Sequence, residues 1–279
     1  NGVAVIDRGT IDCIFSGMAG FPGAGEELYT DRFSMTLGGG ACVTPVRLGN
    51  MGVPVRYGTF LGQGLLSKTA ETLLQKYKVQ NLHNFYDGDG EPVIFSSVFS
   101  FPSDRSIMTF DAGLGENLLT DAQVYDFLHG ADVCFAPRRP DVVKKLAREG
   151  TKIVYDTHWE EGQTLEDHLP ILRLADFFPP NDKEAMLLTG TDSPQAALDA
   201  LCNYTAQPIV KVGKDGCITR IHGKTEHFPA GEATPVDKTG AGDNFLAGLV
   251  FGVYHGCSVA VHSPGQHCRW RVYGDLWLL

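Results

Sequence analysis

The sequence predicts an α/β fold: a central, mostly parallel sheet flanked by helices, with a small β-sheet standing apart from it. Three observations carry this reading. From residue 121 onward, short apolar runs alternate regularly with amphipathic segments, the rhythm of right-handed βαβ units. Alternating stretches within residues 11–37 and 90–110 fall outside that rhythm and suit a separate sheet. A turn at Gly240-Ala241-Gly242 opens an apolar helix in which Phe245, Leu246, Leu249, Val250 and Val253 recur at helical spacing.

Bulk properties agree with a single domain over residues 1–279. The chain has 43% hydrophobic and 20% charged residues, an ordinary globular balance with room for a large core and a small appendage. Its formal charge of −10 argues against a nucleic-acid surface, which needs a basic face. No apolar run reaches the roughly 18 residues of a membrane helix. The start, Asn-Gly-Val-Ala-Val-Ile-Asp, has no basic flank or cleavage pattern, so a cytoplasmic location is expected. Seven cysteines, an odd number without a C-x-x-C pair, predict reduced thiols, several of them in the core.

Val3 to Ile6 is the short apolar run of a buried parallel strand. Ile11 to Phe15, Leu28 to Leu37, Pro92 to Phe101 and Ser106 to Phe110 supply the strands of the small sheet. Asp12 lies within the first, where the pattern alone suits a turn or solvent-facing carboxylate. Gly38 and Gly39 let backbone approach a ligand closely, and a helix follows them. Leu65 to Val79 is an amphipathic scaffold helix, and Arg105 sits between strands of the small sheet, where a solvated turn arginine suits the pattern.

The regular half then runs helix to His129, strand Val133 to Ala136, helix Val142 to Glu149, strand Ile153 to Tyr155, helix Leu165 to Leu174 and strand Asp176 to Phe178. Ligands of such sheets sit at the carboxyl ends of the strands, where Asp156 falls. Asn181 and Glu184 have the spacing of a helix capping box. Lys211, Gly213 and Gly216 lie in a strand, tight turn, strand pattern.

The turn at 240–242 carries the chemistry. The first amides of a helix lack intrahelical acceptors and sit at the positive end of its dipole, so those of Gly240, Ala241 and Gly242 can hold phosphate oxygens. Asp243 opposes that charge. It either complements the dipole or takes a proton from an attacking hydroxyl, as a general base in phosphoryl transfer does.

Asp237-Lys-Thr-Gly-Ala-Gly-Asp243-Asn-Phe resembles the D-x-T-G-A-G-D-x-F motif of the ribokinase-like (PfkB) carbohydrate kinases. Asn181-Asp-Lys-Glu184 resembles the family's N-x-x-E motif, Lys211-Val-Gly213-Lys-Asp-Gly216 its K/T-x-G-x-x-G segment, and Gly38-Gly39 the start of its N-terminal motif. The resemblance runs from Val3 to Gly256. It implies transfer of the γ-phosphoryl group of ATP to a hydroxyl of a sugar-like small molecule, with Asp243 as base and Gly240, Ala241 and Gly242 as anion hole. It further implies that Asn181 and Glu184 organise Mg²⁺ through water, and that Asp237 and Thr239 help hold a monovalent cation, K⁺. Asp12, Gly38, Gly39 and Arg105 would face the acceptor, and Lys211, Gly213 and Gly216 the ATP. The resemblance also implies that the small β-sheet is a lid that covers the sugar and can serve as a homodimer interface. This chain departs from the pattern at Val43, Gln63 and His158, where the family has Asn, Asp and Asn.

After Gly256 the resemblance stops. Pro264 and Gly265 break the helix expected there, and no apolar period survives in residues 257–279. Codons exist for Val261 to Leu279 that, read one nucleotide out of phase, encode Cys-Ile-Arg-Leu-Gly-Asn-Ile-Ala-Gly-Gly-Val-Ser-Met-Ala-Ile-Cys-Gly, a helix-like sequence, so this atypical tail is expected to be frameshifted. An incomplete nucleotide pocket would follow. The alternative function is then a catalytically impaired nucleotide- or sugar-binding protein on the same fold.

Overall fold

The computed structural model describes residues 1–77, 79, 81–101, 105–157, 162–230 and 241–257. His158, Asp237, Thr239, Gly240 and the tail beyond residue 257 lie outside them.

The first seven strands, in chain order, are β1 (Val3–Ile6), β2 (Thr10–Ser16), β3 (Arg32–Gly38), β4 (Val55–Thr59), β5 (Leu82–Asn84), β6 (Ile94–Ser100) and β7 (Arg105–Phe110). They are followed by β8 (Val133–Phe135), β9 (Lys152–Val154), β10 (Phe177–Phe178), β11 (Gln207–Lys211), β12 (Cys217–Ile221) and β13 (Lys224–Phe228). The helices are α1 (Gly40–Asn50), α2 (Leu65–Lys76), α3 (Asp121–Leu128), α4 (Pro140–Arg148), α5 (Leu165–Leu172), α6 (Asp182–Thr189), α7 (Pro194–Leu201) and α8 (Ala241–Tyr254).

Nine strands form the main sheet in the order β13-β12-β11-β10-β9-β8-β1-β4-β5. It is parallel from β5 to β11, and β12 and β13 add an antiparallel edge. β1 is central and carries small or branched apolar residues on both faces because helices cover both. Val3 and Val5 pack with Cys42 and Leu48 of α1, Leu74 of α2, and Leu246 and Val250 of α8. Ala4 points the other way, into a cluster with Leu128, Leu146, Leu172 and Leu198. Helix α8 thus lies beside α1, burying the periodic positions Leu246, Leu249 and Val250.

The lid is a four-stranded sheet, β3-β2-β6-β7, entered after β1 and left before α3. Its register sets one row of polar residues, Thr36–Asp12–Ser96–Thr109, across one face. The opposite face carries Phe33, Phe15 and Phe99 side by side, with Phe15 5.1 Å from Phe33 and 5.7 Å from Phe99 between ring centroids.

Most boundaries shift by one or two residues from the sequence reading, and two shift further. The second lid strand starts at Arg32 rather than Leu28; before it, Thr30 Oγ1 donates to Ser16 O at 2.6 Å and accepts from Arg32 N at 3.2 Å. Helix α2 stops at Lys76, where Tyr77 closes the last turn. Among the described cysteines none forms a disulfide, and Cys13, Cys42, Cys134 and Cys217 are buried. No described helix is long and apolar enough to cross a membrane.

Candidate functional site

Three segments converge at the carboxyl ends of β10 and β11. Lys211, the last residue of β11, pairs with Asn181 through a parallel bridge, and its amide donates to Pro180 O at 2.9 Å. Asn181 is the N-cap of α6: its Oδ1 accepts from the Glu184 amide at 2.9 Å, and Glu184 Oε2 accepts from the Asn181 amide at 2.9 Å. The capping box predicted from spacing is therefore formed, with Glu184 buried. A β-carbon built on Gly242 would stand 3.6 Å from Lys211 Nζ. The Lys211 ammonium thus reaches the first turn of α8, two residues into which stands Asp243, half-buried. Two helix N-termini and one ammonium meet here, a positive setting suited to a polyphosphate.

Gly213 and Gly216 part company. Gly213 has φ +62, is exposed, and a β-carbon there would meet nothing within 4 Å, so its backbone is open to approach. At Gly216 a β-carbon would overlap Phe228 O, so this glycine is needed for packing against the end of β13. Its placement has a structural cause whatever it binds.

A second group of the residues expected at the site is placed by the lid and the start of α1. Gly39 is the N-cap of α1 with φ +79, and a β-carbon on it would lie 2.8 Å from Thr10 Oγ1. Any β-carbon on Gly38 would overlap the Asp12 carboxylate, which therefore sits directly over the backbone that leads into α1. Asp12 accepts a hydrogen bond from Ser96, so the 3.1 Å contact between Ser96 Oγ and Thr109 Oγ1 is donated by Thr109. Burial raises the Asp12 pKa above 3.8, opposed by the field of Arg105 and the bond from Ser96. Arg105 itself is exposed at the start of β7.

The raised pKa has a sign. Ionising Asp12 penalises the fold, fully above its folded pKa and not at all below 3.8. Asp12→Asn should therefore melt higher than the parent at pH 7, with the gap closing as pH falls below 3.8, while losing acceptor affinity. A melting temperature at pH 7 equal to or below the parent's, followed by differential scanning fluorimetry, would contradict the buried-charge account.

The two ends meet at Cys42 in the first turn of α1. Burial pushes this thiol up to about 12; it is hydrogen-bonded to Tyr57 and feels both Asp7 and Asp243. Asp7 follows β1, its amide bonded to Gly58 O at 3.0 Å. Sequence reasoning singled out neither Asp7 nor Ser96, because no motif spacing marks them and only strand register brings them to the site.

Among the described residues no three His, Cys, Asp or Glu side chains gather as a metal cage. Among the described residues, the ends of β10 and β11 offer two separate carboxylates, Glu184 beside the Asn181 amide and Asp243 in the first turn of α8. That sparse donor set fits Mg²⁺, which keeps much of its water and leans on substrate phosphates. Asn181→Ala should cost about 1 kcal/mol of stability in urea unfolding through the lost cap. Asn181→Ser keeps a capping hydroxyl, so unchanged stability with a higher Mg²⁺ requirement would separate a metal role from the cap. A cavity of about 450 Å³ lined by Asn1, Asp132, Gly150 and Tyr254 lies at the opposite, amino ends of the strands, far from this chemistry.

A parallel sheet covered on both faces and entered through a four-stranded lid defines the ribokinase-like class of α/β folds. The chain belongs to the pfkB family of carbohydrate kinases, whose family model matches residues 1–261. Arabidopsis thaliana ribokinase, solved with ribose and ATP, superposes with a TM-score of 0.74 over 92% of this chain and 87% of its own, at 19% identity. A Klebsiella pneumoniae fructokinase is 33% identical over 120 residues, 40% of this chain and 39% of its own length. A Bacillus subtilis (strain 168) 2-dehydro-3-deoxygluconokinase is 31% identical over 126 residues, 42% of this chain and 39% of its own. The match thus spans about two fifths of the length of these relatives.

Proposed function

We propose that this chain transfers the γ-phosphoryl group of ATP to a hydroxyl of a sugar or sugar-like molecule. The observation that carries the reading is the convergence of Lys211 Nζ, the first turn of α8 and Asp243 at the ends of β10 and β11. Asp243 takes the proton of the acceptor hydroxyl as its oxygen bonds to the γ-phosphorus. The bond from that phosphorus to the bridging oxygen breaks, and ADP leaves with the electron pair. Amides of Gly240, Ala241 and Gly242, with Lys211, bear the charge on the transferring group. Asp12, Gly38, Gly39 and Arg105 orient the acceptor, and Gly213 and Gly216 border the nucleotide. Mg²⁺, its waters held by Asn181 and Glu184, would neutralise the polyphosphate. Asp237 and Thr239 are proposed for K⁺ on motif resemblance. The exposed lid residues Phe33, Met35, Ile107, Met108 and Phe110 support a lid-to-lid homodimer.

The test is ADP release with Mg-ATP and K⁺ across a panel of sugars, sugar acids and nucleosides. Turnover with one acceptor supports the proposal. Binding of ATP or sugar without ADP release would favour an impaired binding protein instead. Lys211→Ala should weaken kcat/KM for ATP by about 10- to 100-fold, the worth of a contact to a charged group; a change under threefold would remove Lys211 from the site.

A further inference from the structure

We propose that the acceptor selected by this site is a neutral polyhydroxylated molecule, and that sugar acids and sugar phosphates are disfavoured by charge. This rests on the kinase reading only for where the acceptor lies, between the lid and the first turn of α1.

Carboxylates dominate that region. Asp12 is seated over Gly38, and Asp7 and Asp243 both act on Cys42. Asp7 also acts on Glu116, a carboxyl whose pKa burial raises. An anion entering here meets like charge in partly desolvated surroundings, where repulsion is least screened.

Among the described residues, the guanidinium groups of Arg8, Arg138 and Arg139, after β1 and β8, are each engaged. Arg139, after β8, donates through Nε to Glu116 at 3.1 Å and through Nη1 to Asp121 at 2.5 Å. Its Nη2 donates to the carbonyls of Glu116 at 2.8 Å and Leu119 at 2.7 Å. Arg8, after β1, is paired with Asp111, which follows the last lid strand. Arg138 donates to Thr157 O at 3.0 Å. Arg105, at the start of β7, acts on Asp12, where its field is outweighed by burial. Lys211 lies at the phosphate end beside Gly242. An acidic or phosphorylated acceptor is normally held by a guanidinium fork with paired donors, and Arg139, with four of its five N–H donors committed, has no free pair to give.

Hydroxyl recognition is well supplied instead. The row Thr36–Asp12–Ser96–Thr109 presents three hydroxyls and one carboxylate on a single face, with Asp12 held by a donor chain from Thr109 through Ser96. A carboxylate with spare lone pairs is an acceptor for sugar hydroxyls.

The experiment is equilibrium binding to the full chain by calorimetry, without nucleotide. Neutral ligands are D-fructose, D-ribose and adenosine; anionic ones are D-fructose 6-phosphate and 2-dehydro-3-deoxygluconate. At least one neutral ligand should bind tighter than either anion by about tenfold or more, and Asp7→Asn should narrow that gap by improving the anions. An anion that binds as well as the best neutral ligand overturns the proposal, as does failure of every ligand to bind. Because the readout is binding, the kinase reading fails separately: a bound neutral sugar that yields no ADP with Mg-ATP leaves selectivity standing and removes the reaction.

Discussion

Asp243→Asn is expected to lower kcat by about 10²- to 10⁴-fold, the usual contribution of a positioned general base, while ATP affinity stays within about threefold. The substitution keeps shape and removes only basicity and charge. Asp243 stands in the first turn of α8, where a carboxylate also complements the helix dipole, so stability should fall by no more than about 1 kcal/mol. These two roles separate cleanly by measurement. A dipole-only aspartate would shift the melting temperature slightly and leave turnover intact; a base would abolish turnover with ATP still bound. Turnover within threefold of the parent, measured by ADP release, would strike Asp243 from the mechanism.

Gly38→Ala should raise the acceptor KM by about 10- to 100-fold without changing ATP affinity. Gly38 is the last residue of β3 and does not adopt positive φ, so alanine suits its backbone. The added methyl instead collides with the Asp12 carboxylate. Displacing it forfeits its bonds to acceptor hydroxyls, about 1.5–3 kcal/mol for a charged partner. Overpacking would cost about 1–3 kcal/mol of stability besides. A double-mutant cycle isolates the cause: in the Asp12→Ala background, Gly38→Ala should add little further loss of acceptor affinity. Full additivity, or an unchanged KM in the single variant, would show that Gly38 and Asp12 act independently.

Much of this site was legible residue by residue, and the reason differs by residue. The Asn181–Glu184 box follows from spacing because both bonds run between residues three apart. β1 and β8 were legible because strands buried on both faces must be apolar throughout. β5 and β13 escaped: β5 has three residues with His83 and Asn84 exposed, and β13 is mostly polar, so neither carries a periodic signal. The approach of Lys211 to Gly242 joins positions 31 residues apart in sequence, and the seat of Asp12 over Gly38 depends on the register of β2 against β3. A one-residue slip would turn Asp12 to the phenylalanine face.

The sequence alone determined part of the local structure: the apolar strands such as β1 and β8, the Asn181–Glu184 cap and the apolar face of α8, because each depends on neighbours within a turn or a pleat. Only the tertiary structure decided which of these groups face one another. Lys211 joined α8, Asp12 was set over Gly38, Asp7 was brought within reach of Cys42, and the arginines found their carboxylates, because strand order and register act across distances that no local pattern encodes.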